Sequence, residues 1–144
     1  MKDLSLEEYR ALAEFRYQIR RFLGFSEEQV RTAGMEPQQH QLLLAVKGLP
    51  KSATATIGEL AERLQLKHHS TVELVNRLEA LGYVARKAGK QDRRQVIVQL
   101  TNSGASILRK LSLAHHEELE VAGPHLSKAL RSIARQHDQR RNAA

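Results

Sequence analysis

Between residues 56 and 101 the period of the apolar residues changes, and this limits the possible folds more than any other feature of the chain. Thr56 stands three positions before Glu59, a capping-box signature that opens a short helix through Leu60, Ala61 and Leu64. Past Leu66 and Lys67 a second helix runs to about Leu81 and stops at Gly82, a good C-terminal signal. The spacing then becomes alternating. Residues 83–87 and 95–100 read as strands, with Val96, Val98 and Leu100 alternating with Ile97 and Gln99. Between them lies AGKQDRR, polar and basic, with Gly89 as the turn residue. Two short helices joined by a tight turn, followed by a charged hairpin, predict a helix-turn-helix with a wing.

The flanks are helical. Leu4, Leu12, Phe15, Ile19, Phe22 and Leu23 recur at helical spacing over residues 4–31, with Gly24 expected to kink or fray that helix. Pro37 suits the first turn of a helix over 37–47, with Leu42, Leu43 and Val46 inward. Thr101 caps a helix over 102–120, Gly123 and Pro124 are expected to break it, and a last helix is expected over 125–138 before a frayed QRRNAA tail. The fold class that results is mainly α with a small β-hairpin wing. Residues 1–144 form a single domain, with a winged helix-turn-helix lobe over 37–101. Residues 4–31 and 102–138 form a helical platform for dimerisation.

Composition narrows the function. The chain has no cysteine, which excludes disulfides, thiolate zinc sites and cysteine nucleophiles. No apolar run approaches the ~20 residues of a membrane span, and MKDLSLEEYRALAEF lacks the apolar block of a signal peptide, so the expectation is a cytoplasmic protein. Net charge is +7, and from Arg77 to Arg94 six Lys or Arg face two acids, Glu79 and Asp92. Such focusing is a nucleic-acid footprint. The second helix of the motif fits the major groove, while the wing reaches phosphates or the minor groove. Arg93 and Arg94 at the wing's end suit that role, and Asp92 suits holding an arginine by a charge-assisted hydrogen bond. Lys87 and Lys90 are expected phosphate contacts. The apolar stripes of the outer helices need partners, which a second copy of the chain would supply, together with a second reading helix for a palindrome. No nucleophile elbow or glycine-rich phosphate loop points to catalysis, and no cofactor is implied.

Over residues 64–104, LQLKHHSTVELVNRLEALGYVARKAGKQDRRQVIVQLTNSG, the chain resembles the multiple antibiotic resistance regulator (MarR) family of bacterial transcription factors. GELAERLQL before the turn, LVNRLEALGYVAR across the reading helix and QDRRQVIVQLT across the wing carry the resemblance, with GMEPQQHQLLLAV a looser match. The resemblance implies a homodimer that binds palindromic operators on double-stranded DNA, usually as a repressor. It also implies relief by a small aromatic or phenolic effector bound between platform and DNA lobe. The family's Asp-x-Arg wing motif falls on Asp92 and Arg94. Relatives usually carry small hydroxyl residues and a base on the groove side of the reading helix, whereas here those places hold His69, Ser70, Val72 and Glu73. On a helical wheel Leu74, Val75, Leu78 and Leu81 share a face with Thr71, and His69, Val72, Glu73, Asn76 and Arg77 take the other. Glu73 could accept from a cytosine amino group or pair with Arg77 one turn on. For the effector, Phe15, Ile19, Phe22 and His40 are the residues to inspect, with core packing the plainer reading of each.

Two histidine pairs suggest other classes. His68 and His69 with Glu73, and His115 and His116 with Glu117 and Glu118, have spacings that could serve a metal, but no third ligand is forced to converge, so solvated or DNA-facing helix surface is the preferred reading and no metal site is assigned. A constitutive or activating regulator without effector, a metal-binding protein using those histidines, and a helical interaction module that has lost DNA binding are the alternatives.

Overall fold

A computed structural model describes residues 3–143. The element order is α1 (Leu6–Thr32), α2 (Pro37–Lys47), α3 (Ile57–Leu64), α4 (His68–Ala80), β1 (Val84–Ala88), β2 (Val96–Leu100) and α5 (Asn102–Ala143). The chain divides into a central unit, Val30–Ser112, and a terminal unit made of the segments before and after it.

The central unit holds an apolar core. Leu42 and Leu43 of α2, Leu60 of α3, Val75 and Leu78 of α4, Val84 of β1 and Val98 of β2 are fully buried, and Leu108 and Leu111 of α5 join them. Local signals explain the elements. Pro37 occupies the first turn of α2, where its missing N–H costs nothing. Thr56 Oγ1 accepts from the Glu59 N–H at 3.2 Å, so Thr56 caps α3. Only this half of the expected box forms, because the Glu59 carboxylate takes Arg63 Nε at 3.0 Å instead. Gln65 turns the chain between α3 and α4 with φ 54°, a left-handed conformation backed by its own Nε2 donating to Glu62 O at 2.8 Å. Gly82, at φ +80°, ends the α4 segment where a side chain would be strained. The amides of Gly82 and Tyr83 then close back on Glu79 O and Leu78 O.

The strands form a two-stranded antiparallel hairpin with Val84 opposite Leu100 and Arg86 opposite Val98. They lie within a residue of the spans expected from alternation. On its other side β2 gains one backbone bond, Val98 N–H to Ala55 O at 2.9 Å. Leu81, expected inward, is 55% exposed because it is the C-cap of α4 and no longer follows the helical face.

The terminal unit has a different character. Ser5 and Glu8 form a reciprocal capping box that starts α1 at Leu6, with Ser5 N–H to Glu8 Oε2 at 2.7 Å and Glu8 N–H to Ser5 Oγ at 3.2 Å. Gly24 does not interrupt α1. Nor do Gly123 and Pro124 break α5, which runs through both. Pro124 has no N–H to donate to Glu120 O and its ring crowds that carbonyl, but Glu120 is exposed, so water can satisfy the freed oxygen. The expected frayed tail is helical through Ala143. Arg140 anchors it, pairing with Glu8 Oε1 at 2.7 Å and donating to Asp3 O at 2.9 Å. The buried apolar side chains of this unit are only Ala11 and Ala129 among the described residues, while Leu6 is 63% exposed, Val121 68% and Leu130 54%. No helix among the described residues is long and apolar enough to cross a membrane.

Candidate nucleic-acid interface

Helix α4 separates its two faces as the helical wheel requires. Thr71, Leu74, Val75 and Leu78 are buried. Thr71 closes its hydroxyl on Lys67 O at 3.0 Å, which removes a polar group from the core side. His68, His69, Glu73, Asn76 and Arg77 are exposed, with Ser70 and Val72 half-buried. His69, Val72, Glu73 and Asn76 therefore form one outward stripe at helical spacing. Glu73 and Arg77, one turn apart, are both exposed, and no ion pair joins them among the described residues.

The wing tip is a tight turn. Gln95 N–H bonds Asp92 O at 3.1 Å, which makes Arg93 and Arg94 the two central residues, thrust away from the sheet. Asp92 Oδ1 accepts from the Arg94 N–H at 3.0 Å and from its Nε at 3.2 Å. The acid thus fixes the turn and orients the guanidinium, as expected of it from the sequence, while the Arg94 side chain stays 92% exposed. Gly89 closes the other side of the loop by donating to Gln95 O at 3.0 Å. A Cβ there would lie 2.5 Å from Asp92 O, so no larger residue fits without moving the turn. Lys87, Lys90 and Arg93 are exposed around it.

Sequence reasoning missed one contributor. Arg86 of β1 donates from Nη1 to Glu79 Oε1 at 2.8 Å and from Nη2 to Asn76 Oδ1 at 2.5 Å, joining the wing to the reading helix. A signal was present. Arg86 lies two residues after the buried Val84, on the core-facing side of the strand, and a cation there requires an acceptor.

The other expected residues are placed as follows. Phe15, Ile19 and Phe22 are half-buried on α1, and His40 is buried on α2. His115, expected on a solvated face, is instead 8% exposed. Burial lowers its pKa from the usual histidine value, partly offset by a hydrogen bond with the Ser26 backbone. His116 does face solvent, 3.8 Å from Glu120. No group of three or more potential metal ligands converges among the described residues.

An outward-facing second helix, a basic wing and the core that holds them define a winged helix-turn-helix protein. A model of the MarR family matches residues 33–95. The Bacillus subtilis helix-turn-helix transcriptional regulator YfiV is 31% identical over 112 residues, spanning 75% of this chain and 68% of YfiV. The B. subtilis transcriptional repressor MdtR is 28% identical over 127 residues, 80% of this chain and 79% of MdtR. AbsC, a MarR family regulator from Streptomyces coelicolor, superposes with a TM-score of 0.72 at 19% identity, covering 96% of this chain and 99% of AbsC. The chain belongs to the MarR family and is a DNA-binding transcriptional regulator, not an enzyme.

Proposed function

We propose that the protein is a cytoplasmic homodimeric repressor that binds palindromic operators and is released from them by a small aromatic or phenolic effector. The observation that carries the DNA part is the Asp92–Arg94 turn, held in the same unit as the exposed stripe of α4. In this reading His69, Ser70, Val72, Glu73 and Asn76 face base edges. Arg77, Lys87, Lys90 and Arg93 hold phosphates, and Arg94, braced by Asp92, enters the minor groove. The uncovered leucine and valine side chains of the terminal unit support the homodimer, since a folded monomer would leave them in water. Repression is supported by the similarity to MdtR, a named repressor. Relief by an effector rests on the family resemblance, with Phe15, Ile19, Phe22 and His40 the residues to substitute first.

Selection of binding sites from random duplexes tests the proposal. The expected product is a palindrome whose half-site centres lie ~34 Å apart, one helical turn. Recovery of no enriched sequence at low salt would remove the operator reading.

A further inference from the structure

The bond network between α4 and β1 bears on how Asn76 meets DNA. Arginine has only donors, so the Asn76 atom facing Arg86 must be the carbonyl Oδ1. The Nδ2 amide is therefore turned away from Arg86, on the exposed stripe shared with His69, Val72 and Glu73. Glu79, one turn along α4, takes the other terminal nitrogen of the same guanidinium at 2.8 Å. With both terminal nitrogens engaged on one helix, Arg86 cannot swing aside without losing two charge-assisted bonds at once. Free asparagine pairs with adenine by two bonds, accepting from N6 and donating to N7. Oδ1 keeps a second lone pair, but an adenine N6 donor reaching it would stand beside the Arg86 guanidinium, and the bond to Arg86 fixes the plane of the carboxamide, so this pairing is disfavoured.

We propose that Arg86 is a positioning residue for sequence readout. It fixes the Asn76 side chain as a hydrogen-bond donor, so that this position selects a base edge offering acceptors, guanine O6 and N7, over the amino-bearing edge of adenine. The chemistry follows from the groove code, in which guanine presents two acceptors and adenine one acceptor and one donor. The inference rests on the reading of α4 as the groove-facing helix.

Binding-site selection on the full-length protein, run in parallel for wild type, Asn76→Ala, Asn76→Asp and Arg86→Met, tests it. The wild type is expected to show a guanine column in each half-site. Asn76→Ala and Asn76→Asp are expected to lose that column, the second because a carboxylate keeps the bond from Arg86 but has no donor. Arg86→Met frees the carboxamide and is expected to shift the column from guanine toward adenine by about tenfold in relative enrichment. A structural role for Arg86 alone would weaken all columns equally and would not exchange one base for another. If Arg86→Met melts too early for selection, Arg86→Lys, whose single nitrogen cannot reproduce the two-nitrogen fork that holds Asn76, takes its place. A wild-type palindrome that is unchanged in Asn76→Ala overturns the inference and leaves operator binding intact. So does an Arg86 variant that selects the same base as wild type. If the wild type selects nothing, it is the operator reading that fails, and this inference falls with it.

Discussion

The central and terminal units divide charge and burial between them. Residues 30–112 carry thirteen Lys or Arg against six Asp or Glu, a net +7 that equals the charge of the whole chain. The remaining residues balance at ten of each sign. Burial divides in the same direction. The central unit encloses leucine and valine side chains completely, whereas the terminal unit buries little more than alanine. The first has a finished core and spends its surface on cations. The second has a neutral surface and an unfinished core. The basic charge that would attract a polyanion and the exposed apolar side chains that the proposed homodimer would cover thus lie on separate stretches of sequence.

The largest expected effect sets the same truncation in each unit. Leu78→Ala, at a fully buried position, is expected to cost about 2–5 kcal/mol in denaturant unfolding. Leu130→Ala, half in water, is expected to leave the unfolding of dilute protein nearly unchanged. Equal losses at the two sites would erase the distinction between the units.

Next in size, Val121→Glu together with Leu130→Glu places charge on the uncovered face. Sedimentation equilibrium is expected to show self-association weakened by on the order of 2 kcal/mol, with the fold intact by circular dichroism. Unaltered association would mean that these side chains lie outside any interface.

Arg94→Ala probes the charged unit. Affinity for an operator duplex is expected to fall at least tenfold, about 1.4 kcal/mol, with dimerisation untouched and the slope of log affinity on log salt reduced by about two, one for the wing of each protomer. An unchanged isotherm would count against the wing.

The smallest effect concerns pH. His115 has a folded-state pKa below its unfolded value, so the unfolded chain binds the proton more readily. Stability is then unaffected above the unfolded pKa of about 6.5 and declines as pH falls from there toward the folded value. In His115→Gln this part of the acid-side decline is expected to vanish from melting curves between neutral and mildly acidic pH. A wild-type curve that is flat over that range would contradict the burial of His115.

The central unit was largely legible in the sequence because its signals are local. Thr56, Gly82, Pro37 and the alternation from Val96 to Leu100 each act within a few residues. The outward face of α4 followed from spacing, and the pairing of Asp92 with Arg94 from the resemblance to the family's wing motif. Where distant contacts decide, reading failed. Pro124 carries a strong breaker signal, yet a single lost amide bond does not end a helix of forty-two residues. The tail stays helical because Arg140 reaches Asp3 and Glu8, more than a hundred positions away. His115 looked like a surface residue beside two glutamates, yet tertiary packing buries it, and its spacing in the sequence does not register that. The Arg86 bridge spans seven and ten positions and crosses from helix to strand, where neither helical nor strand periodicity registers it. Which residues touch DNA or an effector is a matter of partners, and a single chain's periodicity does not encode them.

The lone bond from Val98 to Ala55 has a consequence for solubility. A two-stranded hairpin has two open edges, and each is a template on which another extended chain can dock. Occupying the Val98 amide blocks the middle of the β2 edge with the protein's own backbone. On the other strand, Arg86 and Lys87 place adjacent cations in the run VARKA, where a docking copy would meet like charge. An exposed, protruding wing is in this way kept from adhering to other wings.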